Sequence, residues 1–167
     1  MFMRILTIIS LFLIFIPNSY SETLIIGSER DWTAYRADNG DQRTCFISSE
    51  PKKSKGNYTS RGDVRIYVTH GPSPEVKNEV SVKAGYDFKE QSSVVFEIDS
   101  KKFNLFTLKD RAWAESPQID SKIVDSMKAG SKLIVKGTSN RDTNTEDTYS
   151  LFGFTASLKL IDRACGK

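Results

Sequence analysis

Asp142, Asn144 and Glu146 stand in the polar run Asn140-Arg141-Asp142-Thr143-Asn144-Thr145-Glu146-Asp147 at the first, third and fifth places of a would-be calcium loop. An EF-hand puts oxygen ligands at those places, a glycine at the sixth for the sharp turn and a bidentate acid at the twelfth. Here the sixth place holds Asp147 and the twelfth holds Gly153, so the motif fails. Asn, Asp and Thr are also ordinary turn formers, and the run reads as a turn between two strands. A second polar stretch, residues 48–62, carries Lys52, Lys53 and Lys55 and ends in Arg61-Gly62, followed by Asp63. Arg-Gly-Asp is a tripeptide that exported proteins display to integrins, but glycine and aspartate equally suit a tight turn before a strand. The three lysines form a solvated tip with some attraction for an acidic partner. Residues 48–62 and 140–147 are therefore the candidate interaction loops, with Lys52, Lys53, Lys55, Arg61 and Asp63 in or beside the first and Arg141, Asp142, Glu146 and Asp147 in the second.

Hydrolytic or nucleophilic chemistry has little to draw on. The single histidine, His70, sits in Thr69-His70-Gly71-Pro72 at the end of a strand pattern, where an exposed imidazole is expected. There are two cysteines and no clustered His and Cys, which leaves neither a triad nor a zinc site. Asp120 and Asp125 lie five apart in a helical pattern and do not share a face. No catalytic, cofactor-binding or metal-binding residue is assigned, and no cofactor is expected. Trp32 and Trp113 read as packing residues rather than a ligand cage.

The chain of 167 residues opens with Arg4, an apolar run over residues 5–16, Pro17 and the small-residue pattern Ser19-Tyr20-Ser21. That is the form of a secretory signal, with cleavage expected after Ser21. The run is shorter than the roughly 20 apolar residues of a membrane span, and no later stretch matches it. Residues 22–167 then form one domain large enough for its own core. A formal charge of +3 is too weak to mark nucleic acid or an anionic membrane as the main partner. Two thiols in an exported chain favour a Cys45–Cys165 disulfide. The loop it closes spans most of the chain, worth on the order of 4–5 kcal/mol as an upper figure by loop entropy.

The elements that must position these residues are mainly strands. Val64, Ile66 and Val68 alternate with Arg65, Tyr67 and Thr69, the period of a half-buried strand. Val94, Phe96 and Ile98, then Phe103 and Leu105 after Asp99-Ser100-Lys101-Lys102, read as a hairpin. Weaker strand patterns cover residues 32–37, 44–48, 80–84 and 133–135. From Thr148, the residues Ser150, Phe152, Phe154, Ala156, Leu158 and Leu160 share one face of what reads as the longest strand, with Gly153 as a bulge or close-approach point. One segment has helical spacing: Ile119, Ile123, Val124 and Met127, with Ser116 to cap, Pro117 in the first turn and Gly130 to stop. The runs are too short and too charged for an outer-membrane barrel. The expected fold is all-β, an antiparallel immunoglobulin-like sandwich with one short helix laid over it.

Several segments, in this order along the chain, resemble the invasion-associated locus B family: Asp31-Trp32, Cys45, Gly85-Tyr86-Asp87-Phe88, Phe103-Asn104-Leu105-Phe106, Trp113, Met127-Lys128-Ala129-Gly130, Gly137-Thr138-Ser139, residues 147–154 and Ile161-Asp162-Arg163-Ala164-Cys165. The resemblance implies an immunoglobulin-like sandwich exported by a Gram-negative bacterium to the periplasm or outer envelope, with no known catalysis. It does not carry the invasion role of the family's namesake to this chain. At Arg141-Asp142 the chain departs from the Arg-Gly usual in the family; aspartate tolerates the left-handed region, so the turn is expected to survive. The leading expectation is a non-enzymatic envelope protein that binds another envelope or surface protein through its loops or an open edge strand. The alternative is a periplasmic small-ligand carrier or hydrolase, which requires a concave site between sheet and helix with a perturbed carboxylate.

Overall fold

The computed structural model describes residues 22–167, so the expected signal segment 1–21 lies outside the described residues. Eleven strands and two helices follow in chain order: β1 (Glu22–Glu29), β2 (Trp32–Asn39), β3 (Gln42–Ser49), β4 (Lys53–Gly56), β5 (Arg65–His70), β6 (Glu79–Lys83), β7 (Ser93–Ile98), β8 (Lys101–Leu108), β9 (Arg111–Trp113), α1 (Pro117–Ala129), β10 (Lys132–Thr138), β11 (Asn144–Ser150) and α2 (Phe154–Cys165). The strands form one antiparallel sheet in the order β1-β2-β3-β5-β6-β9-β8-β7-β10-β11-β4. Alternation decides which side chains go inward: Ile66, Val68 and His70 of β5 are buried between half-exposed Arg65, Tyr67 and Thr69. Val94, Phe96 and Ile98 do the same on β7.

The two arms of the sheet turn toward each other and share one apolar core. Trp32 and Ile47 of one arm, Phe96, Leu133 and Tyr149 of the other, and the inward faces of both helices belong to a single buried cluster. Main-chain and side-chain bonds tie the arms at one end. The Trp32 indole N–H donates to the Ser150 carbonyl at 3.0 Å, and the Asp31 and Lys52 amides donate to the Phe152 and Thr148 carbonyls. The expected all-β antiparallel sandwich is thus the observed architecture, although its strands run on as one hydrogen-bonded order. The hairpin of residues 94–105 is present as β7 and β8, with Asp99 in the left-handed region at the turn (φ 51°).

The helix α1 forms as its sequence indicates. The Ser116 hydroxyl accepts from the Ile119 amide, Pro117 opens the first turn, and Ile123, Val124 and Met127 are buried. The long C-terminal strand does not form. β11 ends at Ser150, and the residues from Phe154 make the second helix, α2, where one helix was expected. Two periods fit this segment, and the helical one wins. Phe154, Ser157, Leu158 and Ile161 repeat at three, four and seven residues and are buried, whereas Phe152 and Ala156 of the two-residue period point outward. Gly153 permits the switch. It adopts φ 93°, and a Cβ there would collide with the Glu29 carbonyl, so the close approach expected at this glycine is real but starts a helix rather than a bulge.

The helix lies across β1, β2, β3 and β5. Phe154 meets Trp32 edge-on at 5.0 Å between ring centres, and the Ser157 hydroxyl donates to the Trp32 carbonyl. Its last turn is stapled by the Cys45–Cys165 disulfide, with Cα atoms 6.1 Å apart across a separation of 120 residues. Among the described residues no helix is long and apolar enough to cross a membrane.

Candidate functional site: a polar loop cleft and an apolar groove

The two candidate loops meet. Residues 57–62, the segment 85–87, residues 139–141, Thr143 and Thr145 line one cleft of about 620 Å³. What joins them is Arg61. Its guanidinium donates Nη1 and Nη2 to the two carboxylate oxygens of Asp147 at 2.8 and 2.6 Å, and Nε to the Ala84 carbonyl at 2.6 Å. The two side chains are 6% and 2% exposed. Tyr86 and Tyr58 stand against the guanidinium, 4.9 and 5.6 Å from ring centre to Cζ. Burial is the largest single influence and works against the charge on Arg61; the hydrogen bond and charge of Asp147, with Tyr86 and Tyr58, together outweigh it and raise its hold on the proton. The loop reaches this position because Gly62 lies against Gly85, the Gly62 amide donating to the Gly85 carbonyl at 2.9 Å. The Tyr86 hydroxyl shares a hydrogen with Thr145 at 2.6 Å.

This corrects the expected roles of several residues. Arg61 and Asp147 are not available to a partner; they form the internal clamp, and Arg61 is therefore not displayed as part of an adhesion tripeptide. Asp147 belongs to β11, whose inward row is Thr145, Asp147 and Tyr149. The remaining acids of the second loop are not brought together. Asp142 pairs with Lys89, Asn144 accepts from Thr138, and Glu146 pairs with Lys55 at 2.7 Å. Among the described residues no group of three His, Cys, Asp or Glu side chains stands close enough to share a metal ion. Asp142 does occupy the left-handed region (φ 58°), as the turn without its usual glycine requires, and Ser139 accepts from the Arg141 and Thr143 amides beneath it.

Residues 48–62 are not one loop either. Lys53 and Lys55 lie on β4, an edge strand paired with β11, and Lys52 reaches Asp31 at 2.5 Å and lowers the proton affinity of that carboxyl. Asp63 remains exposed beside Arg65. The residues that line the cleft and stay exposed are 57–60, Gly62, Asp87, Asn140 and Arg141.

His70 is likewise not an exposed imidazole. It is fully buried; Nδ1 accepts the Asn78 amide at 3.1 Å, so Nε2 carries the proton and donates to Asp162 at 2.9 Å. This joins β5 to α2 next to the disulfide, because His70 is the register partner of Cys45.

The second concavity lies between the β8–β9 hairpin and the start of α1, with a volume of about 470 Å³. Its floor is apolar: Phe106 and Leu108 are 46% and 62% exposed, and Phe106 stacks on Trp113 at 5.9 Å. Trp113 is thus part of a surface groove and not of the core. At one end stands Asp120, 6% exposed. β9 pairs with β6 only from Ser81 to Lys83, which leaves the Val80 amide without a strand partner there, and Asp120 Oδ1 accepts it at 2.8 Å. Burial raises the Asp120 pKa to about 6, the Val80 amide opposes the rise, and the Glu79 charge adds to it. Asp120 was readable in the sequence. With Ile123, Val124 and Met127 it completes the three, four and seven spacing of the buried face of α1, so an acid stood on an apolar stripe.

The family model for the Invasion associated locus B (IalB) protein matches residues 32–162. The chain belongs to the IalB family. The match runs from Trp32, at the start of β2, to Asp162, the partner of His70, and takes in both arms of the sheet and both concave sites. Cys165 lies just beyond it, so the staple closes on a residue outside the matched IalB region. No curated protein and no solved structure matches the chain.

Proposed function

We propose that this IalB-family chain is an exported, non-catalytic protein of the periplasm or outer envelope that binds another envelope component through its loop cleft. The observation that carries the reading is the Arg61–Asp147 clamp, which gathers two loops distant in sequence into one preformed polar surface with Asn57, Asn140 and Arg141 at its rim. A rigid sandwich presenting functional loops is a common arrangement for recognition. Export is supported by the disulfide, which persists in oxidising compartments. The groups that nucleophilic chemistry would use are engaged: both sulfurs are bridged and both His70 nitrogens are hydrogen-bonded. The reading rests on binding and takes nothing from the invasion role in the family's name.

A photo-crosslinking amino acid at Arg141 tests it in intact cells, with the same residue at Lys159 on the exposed side of α2 as the control. A single stoichiometric adduct from position 141 and none from 159 is expected. Equal labelling from both positions, or none from 141, contradicts the reading.

A second reading, a small-ligand carrier, has one observation in its favour: the groove between sheet and helix with the shifted carboxyl of Asp120. Its hydrolase form is less well supported, since the donor to Asp120 is a main-chain amide and no second acid or base is hydrogen-bonded to it.

A further inference from the structure

We infer that the groove between the β8–β9 hairpin and α1 binds a basic, amphipathic peptide segment, seating an aliphatic or aromatic anchor on Phe106, Leu108 and Trp113 and a lysine or arginine beside Asp120. This goes beyond the loop-cleft reading and does not depend on it, since the two concavities share no residue.

The floor supplies the first half of the argument. Phe106 and Leu108 are adjacent outward residues of β8, and both are large, apolar and exposed, with Trp113 stacked alongside. A strand at this position gains nothing from presenting such side chains to water, and clustered aromatic and aliphatic anchors in a concave site are what peptide recognition uses. The volume suits one or two anchoring side chains rather than a folded domain.

The rim supplies the second half. The charged groups that line the groove with Asp120 are Glu79 of β6, Glu75 and Lys77 of the segment before it, and Glu115 after β9, and the Glu79 charge acts on Asp120 directly. Four carboxyls, counting Asp120, stand against one ammonium, in a protein whose overall charge is positive. The first turn of α1 does not offset them, because the Ser116 carbonyl takes the Ile119 and Asp120 amides. Asp120 is nine-tenths buried, and its donor is the Val80 amide on Oδ1; among the described residues no cation reaches its other oxygen. A partly desolvated carboxylate of this kind gains from a cation arriving with an apolar neighbour, which excludes water from the pair. A neutral or acidic segment would leave the rim repelling itself.

The probe is a synthetic peptide of lysine, leucine and phenylalanine, added to the purified disulfide-bonded protein and followed by the emission of Trp113. Trp32, the other tryptophan, is buried in the core and serves as an internal constant. Saturable binding at neutral pH is expected. It should weaken at least fivefold in Asp120→Asn and in the double variant Glu79→Gln/Glu115→Gln, weaken at least tenfold in Leu108→Ser, and fade as pH falls through 6 and Asp120 takes up a proton. Leu108 and Glu115 are exposed, so those substitutions leave the core untouched if Asp120→Asn disturbs folding. Equal affinity for the same peptide with lysine replaced by glutamate or serine overturns the proposal. So does sedimentation showing a dimer that Leu108→Ser converts to monomer. Retained cleft crosslinking from Arg141 in the presence of a failed groove titration, or the reverse, tells the two readings apart.

Discussion

Among the described residues charge is buried in the cleft and in the groove, and the two places are built in opposite ways. In the cleft, Arg61 and Asp147 answer each other with two parallel hydrogen bonds, and the Ala84 carbonyl and two tyrosine rings complete the shell. In the groove, Asp120 has one main-chain donor and acidic neighbours. The first arrangement holds strands together; the second leaves an acceptor open at the end of an apolar trough. Burial of a charge is thus not by itself a sign of function: what distinguishes a strut from a site is whether the protein supplies the counter-charge.

The largest test of that contrast is Asp147→Asn. It leaves the Arg61 guanidinium buried without its counter-ion, and the loss of one partner from such a pair costs about 3–5 kcal/mol. Chemical denaturation should show an unfolding free energy lower by that amount. A change below about 1 kcal/mol would mean that the clamp is no stronger than an exposed ion pair.

Asp120 should act in the opposite direction and more weakly. Its folded pKa of about 6 lies above the usual value of 3.8, so between those values the folded state binds more protons than the unfolded chain. The stability it contributes is complete below about pH 4 and is lost as pH rises through 6. Relative to Asp120→Asn, which does not titrate, the wild type should lose roughly 2–3 kcal/mol between pH 4 and pH 7. Asp31, whose pKa is lowered by Lys52, has the opposite sign and loses its contribution as pH falls. A flat difference between wild type and Asp120→Asn across this range would show that the carboxyl is not desolvated.

The same contrast explains what could be read from the sequence. Strand alternation, the cap and stop of α1 and the Cys45–Cys165 pairing are local or compositional signals, and each is present in the structure. The segment after Thr148 was not decided locally, because apolar residues fall at both two-residue and helical spacings. Only the collision of Glu29 with any side chain at Gly153, and the packing of Phe154 on Trp32, choose the helix. Arg61 and Asp147 are separated by 86 residues, and nothing near either announces the other. Asp147 lies on an inward row with Thr145 and Tyr149, yet a run rich in Asn, Asp and Thr reads first as a turn. The groove was hidden for a similar reason. Phe106, Trp113 and Asp120 come from three elements, and the shortness of β9, which frees the Val80 amide, has no sequence signature of its own.

The most direct measurement is an amide chemical-shift map of the oxidised protein titrated with the lysine-, leucine- and phenylalanine-containing peptide. Shifts should gather at Val80, Phe106, Leu108, Trp113 and Asp120 and leave Arg61, Tyr86 and Asp147 unmoved. Shifts centred on the clamp, or spread evenly over the sheet, would contradict the distinction between a charge that holds the fold and a charge that waits for a partner.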